Sequence, residues 1–399
     1  MEKRFSLKIV ITLMLLASAL TWTGMMVVVG FPFAAHSNRS DAVRDYAALL
    51  TRIDELFIGD YEERDVATAA MRSAVAALND EWSFYMTQEE FLWHMDSSSN
   101  RYDGIGFTVA TDEETGNMLV VSVFSGSAAE AAGIVPGDII TAVDSKPITG
   151  FTHADLREAL VRPIGDSAEL TVLRADGSIE VLTAVYSVVF VSPTSSEMLE
   201  GDIGYVRLTN FHYRSAHSFI TATDELIEQG ALGLIFDVRD NPGGWVSEMT
   251  AILDYLLPEG EIFISVDRSG KEAITTSDEF YIDLPMVVLV DRFSFSGAEY
   301  FAAMLREYGF AEVVGEQTTG KSRMQTSVRL PGGGALNISF AEYLTKNRVS
   351  LHDAGGLTPD HEVELTREEQ MLFFEGNLEK GDDPQLQKAI SLLDSLFSY

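Results

Sequence analysis

The chain has 399 residues, enough for two or three folded units that each have a hydrophobic core. It contains no cysteine, which excludes disulfides, thiolate nucleophiles and cysteine-ligated metals. It carries 28 Lys and Arg against 61 Asp and Glu, a formal net charge of −33, and such a surface repels the phosphates of nucleic acids. We therefore expect no nucleic acid as partner, and no sequence pattern calls for a cofactor or a metal.

The N-terminal segment begins with basic residues and continues with a long uncharged stretch. Lys3, Arg4 and Lys8 precede residues 9–35, none of which is charged. About twenty helical residues cross the apolar core of a bilayer. A cleaved signal peptide is the alternative, with a candidate cleavage site at residues 17–19, but the apolar run is longer than an ordinary signal-peptide core. We expect a single transmembrane anchor, with the N-terminus in the cytoplasm and the rest of the chain outside it.

Residues 39–98 follow a short polar linker and predict helices. Apolar side chains recur there at helical spacing, at Tyr46, Leu49, Leu50, Ile53 and Phe57. A segment of this kind can provide dimer contacts or a gate. The residues do not decide between the two, so a homo-oligomer stays open.

A second unit is predicted over residues 99–188. It contains Gly104-Ile105-Gly106-Phe107 near a strand start and, further on, Gly133-Ile-Val-Pro-Gly-Asp-Ile-Ile140. Together these segments resemble a PDZ domain, although a plain hairpin turn also explains the first one. The resemblance implies that backbone N–H groups of a loop hold the terminal carboxylate of a peptide, which adds a strand to the sheet. The loop residues would be Asp103, Gly104, Ile105, Gly106 and Phe107.

A strand, a turn and a helix follow one another around Ser296. Residues 286–290 form an unbroken apolar run that is typical of a buried strand, and residues 297–309 show helical periodicity. Ser296 therefore stands at the N-cap of the helix. A capping role alone is the alternative interpretation, because serine is a preferred N-cap residue.

Lys321 and Gln325 follow Ser296 along the chain. A hydroxyl needs a base to become a nucleophile, and a neutral lysine can be that base. Burial would have to lower the lysine pKa from ~10.4 by roughly three, a cost of about 4 kcal/mol. Gln325 can orient the amine without adding charge, and its spacing puts both side chains on one face of a strand or of a helix. A surface Lys and Gln on a polar strand face is the plain alternative.

A glycine pair predicts backbone donors for a developing oxyanion. Gly243 and Gly244 end a loop that follows the apolar run at residues 232–236, and Gly297 begins the helix after Ser296. Glycines let a loop aim N–H groups into a cleft, and a helix N-terminus offers N–H groups without partners. An ordinary loop is the alternative for the glycine pair.

With these segments in place, the chain resembles a known family, the carboxyl-terminal processing peptidases or tail-specific proteases. The similar segments are Val288-Leu-Val-Asp-Arg-Phe-Ser-Phe-Ser-Gly-Ala-Glu299, Gly315-Glu-Gln-Thr-Thr-Gly-Lys-Ser-Arg-Met-Gln325, Arg239-Asp-Asn-Pro-Gly-Gly244 and Gly355-Gly-Leu-Thr-Pro-Asp360. The resemblance implies a Ser296 nucleophile, a Lys321 base and an orienting Gln325. Phe295, Ala298 and Ser322 depart from the family pattern, and a phenylalanine beside the nucleophile narrows the cleft.

Two other motifs compete with this interpretation. Gly315 to Ser322 also satisfies the phosphate-binding G-x-x-x-x-G-K-[ST] pattern, but such a loop must open a helix, and the residues that follow are β-like. The second is a histidine triad or metal site built from His212, His217, His352 and His361. These histidines lack the i,i+4 helical pair that zinc hydrolases show.

The sequence thus predicts an α+β multidomain serine endopeptidase that captures protein or peptide substrates by their C-terminal tails. The predicted parts are a cytoplasmic N-terminus, transmembrane anchor and linker (1–38), a helical segment (39–98), a PDZ-like β-barrel with two helices (99–188) and an α/β layered peptidase core with a C-terminal helix (189–399). A catalytically silent PDZ scaffold and a P-loop nucleotide-binding protein are the rival hypotheses.

Overall fold

The computed structural model describes residues 37–112 and 115–397. The described chain divides into two compact units, with the boundary after residue 70. In the first unit, the described part consists of helix α1 (Ser37–Leu56) and the beginning of helix α2 (Glu63–Ala76). The PDZ-like unit and the layered core both belong to the second unit.

The other elements follow in chain order. Up to residue 190 they are β1 (Phe84–Met86), α3 (Gln88–Ser97), β2 (Arg101–Gly104), β3 (Phe107–Thr111), β4 (Met118–Val123), α4 (Ala128–Ala131), β5 (Ile139–Val143), β6 (Lys146–Pro147), α5 (His153–Leu160), β7 (Ser167–Leu173), β8 (Ile179–Val185) and β9 (Ser187–Phe190). Beyond it they are β10 (Thr194–Leu199), β11 (Ile203–Leu208), α6 (Ser215–Glu228), β12 (Gly233–Asp237), α7 (Val246–Leu256), β13 (Gly260–Asp267), β14 (Glu272–Ser277), β15 (Met286–Val290), α8 (Gly297–Glu307), β16 (Ala311–Gly315), β17 (Arg323–Arg329), β18 (Ala335–Leu344), β19 (His361–Glu362), α9 (Arg367–Glu375), a 3₁₀ turn (Lys380–Asp382) and α10 (Pro384–Phe397).

The core of the second unit is a six-stranded sheet in the order β10-β11-β12-β15-β16-β19. Its strands are parallel except for the edge pair β10 and β11. Both faces are covered, which explains the unbroken apolar run of β15. Val288 and Val290 pack into the cluster formed with α6, α7 and α8, while Val287 and Leu289 pack against α10. The carboxyl ends of the neighbouring strands β12 and β15 therefore open at the same edge of the sheet.

A second sheet lies beside this core and contributes to the site described below. It has the order β1-β18-β13-β14, with β17 also paired to β18. β18 pairs with β1 through residues 335–337 and with β13 through residues 341–344. The segment before β1 is thereby held close to the strand that carries Tyr343.

The PDZ-like unit is a five-strand path β3-β4-β5-β7-β8 with the short β6 paired to β5, and it includes the two helices α4 and α5. It has its own core, in which Met118, Ile140, Leu170 and Val172 are fully or almost fully buried. β3 is an edge strand of this sheet. The two-stranded ribbon of β2 and β9 connects the unit to the peptidase core.

One part of the predicted fold class is wrong. The structure shows an α+β multidomain protein with a PDZ unit and a layered core, but no helix within residues 37–112 and 115–397 is long and apolar enough to cross a membrane. α1 has 20 residues, yet charged side chains are spread along its whole length. The stretch 9–35, predicted to be a transmembrane helix, lies outside the described residues.

Candidate active site

Ser296 lies at a strained turn between β15 and α8. It is the N-cap residue of α8, and its backbone angles are φ 58° and ψ −120°, a region that favours glycine. Such a backbone costs of order 1–3 kcal/mol and persists only where its surroundings enforce it. Here Ser294 Oγ donates to Val238 O at 2.7 Å, and Asp291 Oδ1 accepts from the N–H groups of Asp240 and Phe293, both at 3.0 Å. These bonds anchor the turn, as in strand-turn-helix arrangements that present a nucleophile.

The glycine loop after β12 packs directly against Ser296. A Cβ on Gly243 would lie 2.8 Å from Ser296 Cβ and 2.7 Å from Gly297 N, so no larger residue fits without displacement. Gly243 N donates to Asn241 Oδ1 at 2.8 Å and is therefore occupied. In the described part of the chain, the N–H groups of Gly244 and Gly297 donate to no acceptor. Of the predicted oxyanion donors, these two are the ones that the structure leaves available.

A small apolar pocket adjoins Ser296. Its volume is about 20 Å³, room for about one water molecule. The residues that line it are Gly244, Trp245, Val246, Met249, Phe263, Ser296, Gly297 and Tyr343. Gly244, Ser296 and Gly297 all line this cavity, so the hydroxyl and the two available N–H groups belong to residues that border one place in the structure.

Lys321 lies in the loop between β16 and β17, against two aromatic rings. Its Nζ is 4.4 Å from the centroid of the Trp82 ring and 5.7 Å from that of Phe295, and the two rings stack with centroids 5.9 Å apart. Burial lowers the pKa of Lys321 to about 8, against the opposing attraction of Glu299. Within residues 37–112 and 115–397, Lys321 Nζ forms no hydrogen bond to Ser296 Oγ. Lys321 is therefore a buried amine with a lowered pKa that is not hydrogen-bonded to the Ser296 hydroxyl.

Gln325 does not contact Lys321 through a hydrogen bond in the described chain. Its amide donates to Arg323 O at 2.6 Å and to Ser339 Oγ at 3.3 Å. The same-face argument assumed one regular element, but β17 begins only at Arg323, and its register shifts between Met324 and Gln325. The role of Gln325 stays a prediction.

Sequence reasoning missed Tyr343. This side chain is almost fully buried, and its hydroxyl donates to Ser296 Oγ at 3.4 Å and to the main-chain oxygen of Lys321. Burial raises the pKa of Tyr343, so the phenol stays protonated and remains a donor. No spacing rule links it to Ser296; the only signal was an aromatic residue on a strand rich in alternating apolar positions.

In the PDZ unit, the loop that the sequence predicts to bind a carboxylate is shorter in the structure than the five predicted residues. Asp103 and Gly104 lie in β2, and Phe107 begins β3. The carbonyl oxygens of Ile105 and Gly106 accept from Ala129 N at 2.8 Å and Phe124 N at 3.0 Å. Gly106 has φ +103°, and a Cβ there would lie 2.2 Å from Ser127 Cβ, which makes glycine necessary.

The two competing motifs have little structural support. The lysine loop leads into strand β17, whereas a phosphate-binding loop requires a helix. His361 contacts Glu312, and His352 Nδ1 lies 3.3 Å from Gly320 O. Among the described residues, no three His, Cys, Asp or Glu side chains are grouped as metal ligands.

Comparisons with known proteins show which family the chain resembles. A family model described as peptidase family S41 matches residues 202–363, and a PDZ domain model matches residues 94–173. Over 312 residues the chain is 31% identical to the carboxy-terminal processing protease CtpA of Bacillus subtilis (strain 168), covering 76% of this chain and 66% of that protein. Over 336 residues it is 28% identical to the carboxyl-terminal-processing protease of Synechocystis sp. (strain ATCC 27184 / PCC 6803 / Kazusa), covering 83% and 77%.

The fold is also similar to a solved structure from Bacteroides fragilis NCTC 9343 whose name assigns it to the S41 proteases. The TM-score is 0.52 at 18% identity, and the match covers 82% of this chain and 90% of that one. At this identity the likeness concerns the fold alone. With the family models and the relatives named above, the conclusion is that the chain belongs to the carboxyl-terminal processing peptidases of family S41 and is a serine-type peptidase with a PDZ domain.

Proposed function

We propose that this peptidase cleaves protein substrates that it captures by their C-terminal tails, with Ser296 as nucleophile and Lys321 as general base. One observation carries the proposal. Ser296 lies on a strained turn and borders the same pocket as Gly244 and Gly297, whose N–H groups donate to no acceptor within the described chain. The loop that contains Lys321 supplies a buried amine with a pKa of about 8.

The chemistry follows from these groups. Neutral Lys321 removes the proton of Ser296 Oγ as that oxygen attacks the scissile carbonyl. Gly244 and Gly297 donate to the oxyanion of the tetrahedral intermediate. Protonated Lys321 then returns the proton to the leaving amine, and water hydrolyses the acyl-enzyme. In the productive state Gln325 orients the amine of Lys321.

The proposal requires a conformational step. Lys321 Nζ must leave the face of Trp82 and reach hydrogen-bonding distance of Ser296 Oγ. The lysine side chain has four rotatable bonds, so it can make this movement without a change in the fold. Substrate bound over Ser296 and the amine of Lys321 excludes water from both groups, which favours the neutral amine.

Tail capture is assigned to the PDZ unit. β3 is an edge strand, so its outer side can accept an added peptide strand. The loop at Ile105 and Gly106 engages its carbonyl oxygens internally, while its N–H groups make no hydrogen bond within the described chain. These N–H groups suit the terminal carboxylate of a peptide.

The test uses the full chain and a pair of peptides of one sequence, one with a free C-terminal carboxylate and one amidated. Wild-type protein should cleave the free peptide faster, mainly through a lower KM. Ser296→Ala and Lys321→Ala should abolish cleavage while circular dichroism stays unchanged. Lys346→Ala is the matched control, because its amine also lies over an aromatic ring, that of Tyr308 at 3.6 Å, outside the site. Cleavage by Ser296→Ala would refute the proposal, whereas tail binding without cleavage by wild type would identify a scaffold.

We also propose that the catalytic part acts outside the cytoplasm. Support comes from the sequence, in which three basic residues precede the uncharged stretch 9–35, a pattern that directs export. A fusion of alkaline phosphatase after Tyr399 should be active in cells, since that reporter needs an oxidising compartment. An inactive but stable fusion would contradict this location.

Homo-oligomer formation stays a prediction that sedimentation velocity can measure.

A further inference from the structure

Glu299 is a fully buried carboxylate that joins two separate parts of the site. It lies in the first turn of α8 and has no exposed surface. Its Oε1 accepts from Ser296 N at 3.0 Å and from Lys321 N at 2.5 Å. Its Oε2 accepts from Thr318 Oγ1 at 2.6 Å and from Gly320 N at 2.9 Å.

These four bonds use both oxygens of the carboxylate, and all four partners donate. A carboxylate without its proton accepts in this way, whereas a protonated acid or an amide would set a donor against a donor. Charge-assisted hydrogen bonds of this kind are the stronger ones in proteins. The buried carboxylate is therefore held by the loop of the base on one side and by the turn of the nucleophile on the other.

We propose that Glu299 is a positioning residue for the hydrolysis, which ties the main chain of Ser296 to the main chain of Lys321 through one buried carboxylate. The inference rests on the proposed function. Ser296 has an unfavourable backbone conformation, so the bond from its N–H to Glu299 helps to hold it. The main-chain N–H groups of Gly320 and Lys321 donate to the same carboxylate. The main chain at Lys321 is therefore held at a fixed place relative to the main chain at Ser296.

The charge of Glu299 has a second effect. Burial lowers the pKa of Lys321, and among the groups that oppose this and raise that pKa, Glu299 has the largest influence. Removing the charge while keeping the shape should therefore lower the lysine pKa further. A residue that only fills space would show no such effect, so this direction separates a positioning and electrostatic role from a structural one.

The experiment compares Glu299→Gln, Glu299→Asp and Thr318→Val in the full chain. For Glu299→Gln we expect kcat to fall about 10²-fold with KM changed less than about threefold, because the reacting groups are misplaced while the pocket stays intact. We expect the pH at which kcat/KM rises to move down by on the order of one pH unit. In Glu299→Asp the pH at which kcat/KM rises should stay near the wild-type value. In Thr318→Val kcat should fall by about tenfold, while the pH at which kcat/KM rises should stay unchanged.

The matched control is Glu316→Gln. Glu316 is a buried carboxylate of the same loop, but it pairs with Arg292 at 2.9 Å and touches neither Ser296 nor Lys321. It should keep both kcat and the pH profile. A titration of ¹³C-labelled lysine gives the Lys321 pKa without turnover, so a poorly active variant is still informative.

Wild-type kcat and an unmoved lysine pKa in Glu299→Gln would overturn the inference. So would a loss of kcat that follows the loss of folded protein alone. If Glu299→Gln does not fold, Thr318→Val tests the inference instead. A wild-type kcat in Thr318→Val would then refute the positioning role of Glu299. Failure of the proposed function looks different: Lys321→Ala would then cleave normally, whatever Glu299 does.

Discussion

The amine of Lys321 lies 4.4 Å from the centroid of the Trp82 ring. Trp82 comes from the segment that leads into β1, far earlier in the chain than the lysine loop, and β1 is paired to β18. An aromatic face attracts an ammonium group, while its bulk excludes water and favours the neutral amine. Burial lowers the pKa of Lys321 to about 8, which is the direction expected where water is excluded from an amine.

The first prediction concerns pH. Protonated Lys321 cannot accept a proton, so kcat/KM should rise by about tenfold per pH unit below a pH of about 8 and level off above it. A pH series of peptide cleavage at constant ionic strength measures this. A rise centred near pH 6.5, the ordinary histidine range, would point to a different base.

The second prediction concerns the aromatic shield. Trp82→Ala should admit water to the amine, raise the Lys321 pKa and move the rise in kcat/KM to higher pH by on the order of one unit. This shift is opposite in sign to the one expected for Glu299→Gln. Trp93→Ala is the control, since Trp93 is 72% exposed on α3. A shift to lower pH in Trp82→Ala would mean that the ring mainly attracts the charge.

The third prediction concerns the close approach of the glycine loop. Gly243→Ala would force a methyl group to within 2.8 Å of Ser296 Cβ, so the loop or the nucleophile must move. We expect kcat to fall about 10²-fold. Gly309→Ala controls for backbone strain, because Gly309 has φ +78° but open space where a Cβ would lie. Equal effects of the two substitutions on kcat would contradict the prediction.

The fourth prediction separates stability from activity at the nucleophile. Ser296→Gly and Ser296→Ala should both be inactive, but glycine accepts φ 58° and ψ −120° without strain. Ser296→Gly should therefore have a free energy of unfolding about 1 kcal/mol above that of Ser296→Ala. Urea denaturation of the two variants measures the difference. A lower value for the glycine variant would show that the turn is not strained.

Much of the local architecture was predictable from the sequence. The apolar run at residues 286–290 forms β15, and Ser296 stands at the N-cap as the strand, turn and helix pattern indicated. These features depend on neighbouring residues, which local periodicity reports. The position of Gly243 and Gly244 in a loop was also predictable, because a pair of glycines directly after a buried strand favours a turn of the backbone.

The surroundings of Lys321 were not predictable in this way. Trp82 reaches the site through the pairing of β1 with β18, and Tyr343 lies on the part of β18 that pairs with β13. Such long-range pairing leaves no periodic signal around Lys321. The hydrogen bonds of Gln325 depend on a register shift in β17 that no local pattern announces. The family resemblance supplied the residue types, but the tertiary structure determines which of them touch.

The β2–β9 ribbon has a further consequence. Gly104 is paired with Ser187, so the chain enters and leaves the inserted unit at two adjacent points, about one strand spacing of ~4.8 Å apart. A domain whose two ends lie side by side can be replaced by another domain without a change in the rest of the protein. A chimaera that carries a different PDZ domain between Gly104 and Ser187 should therefore keep the fold of the peptidase core.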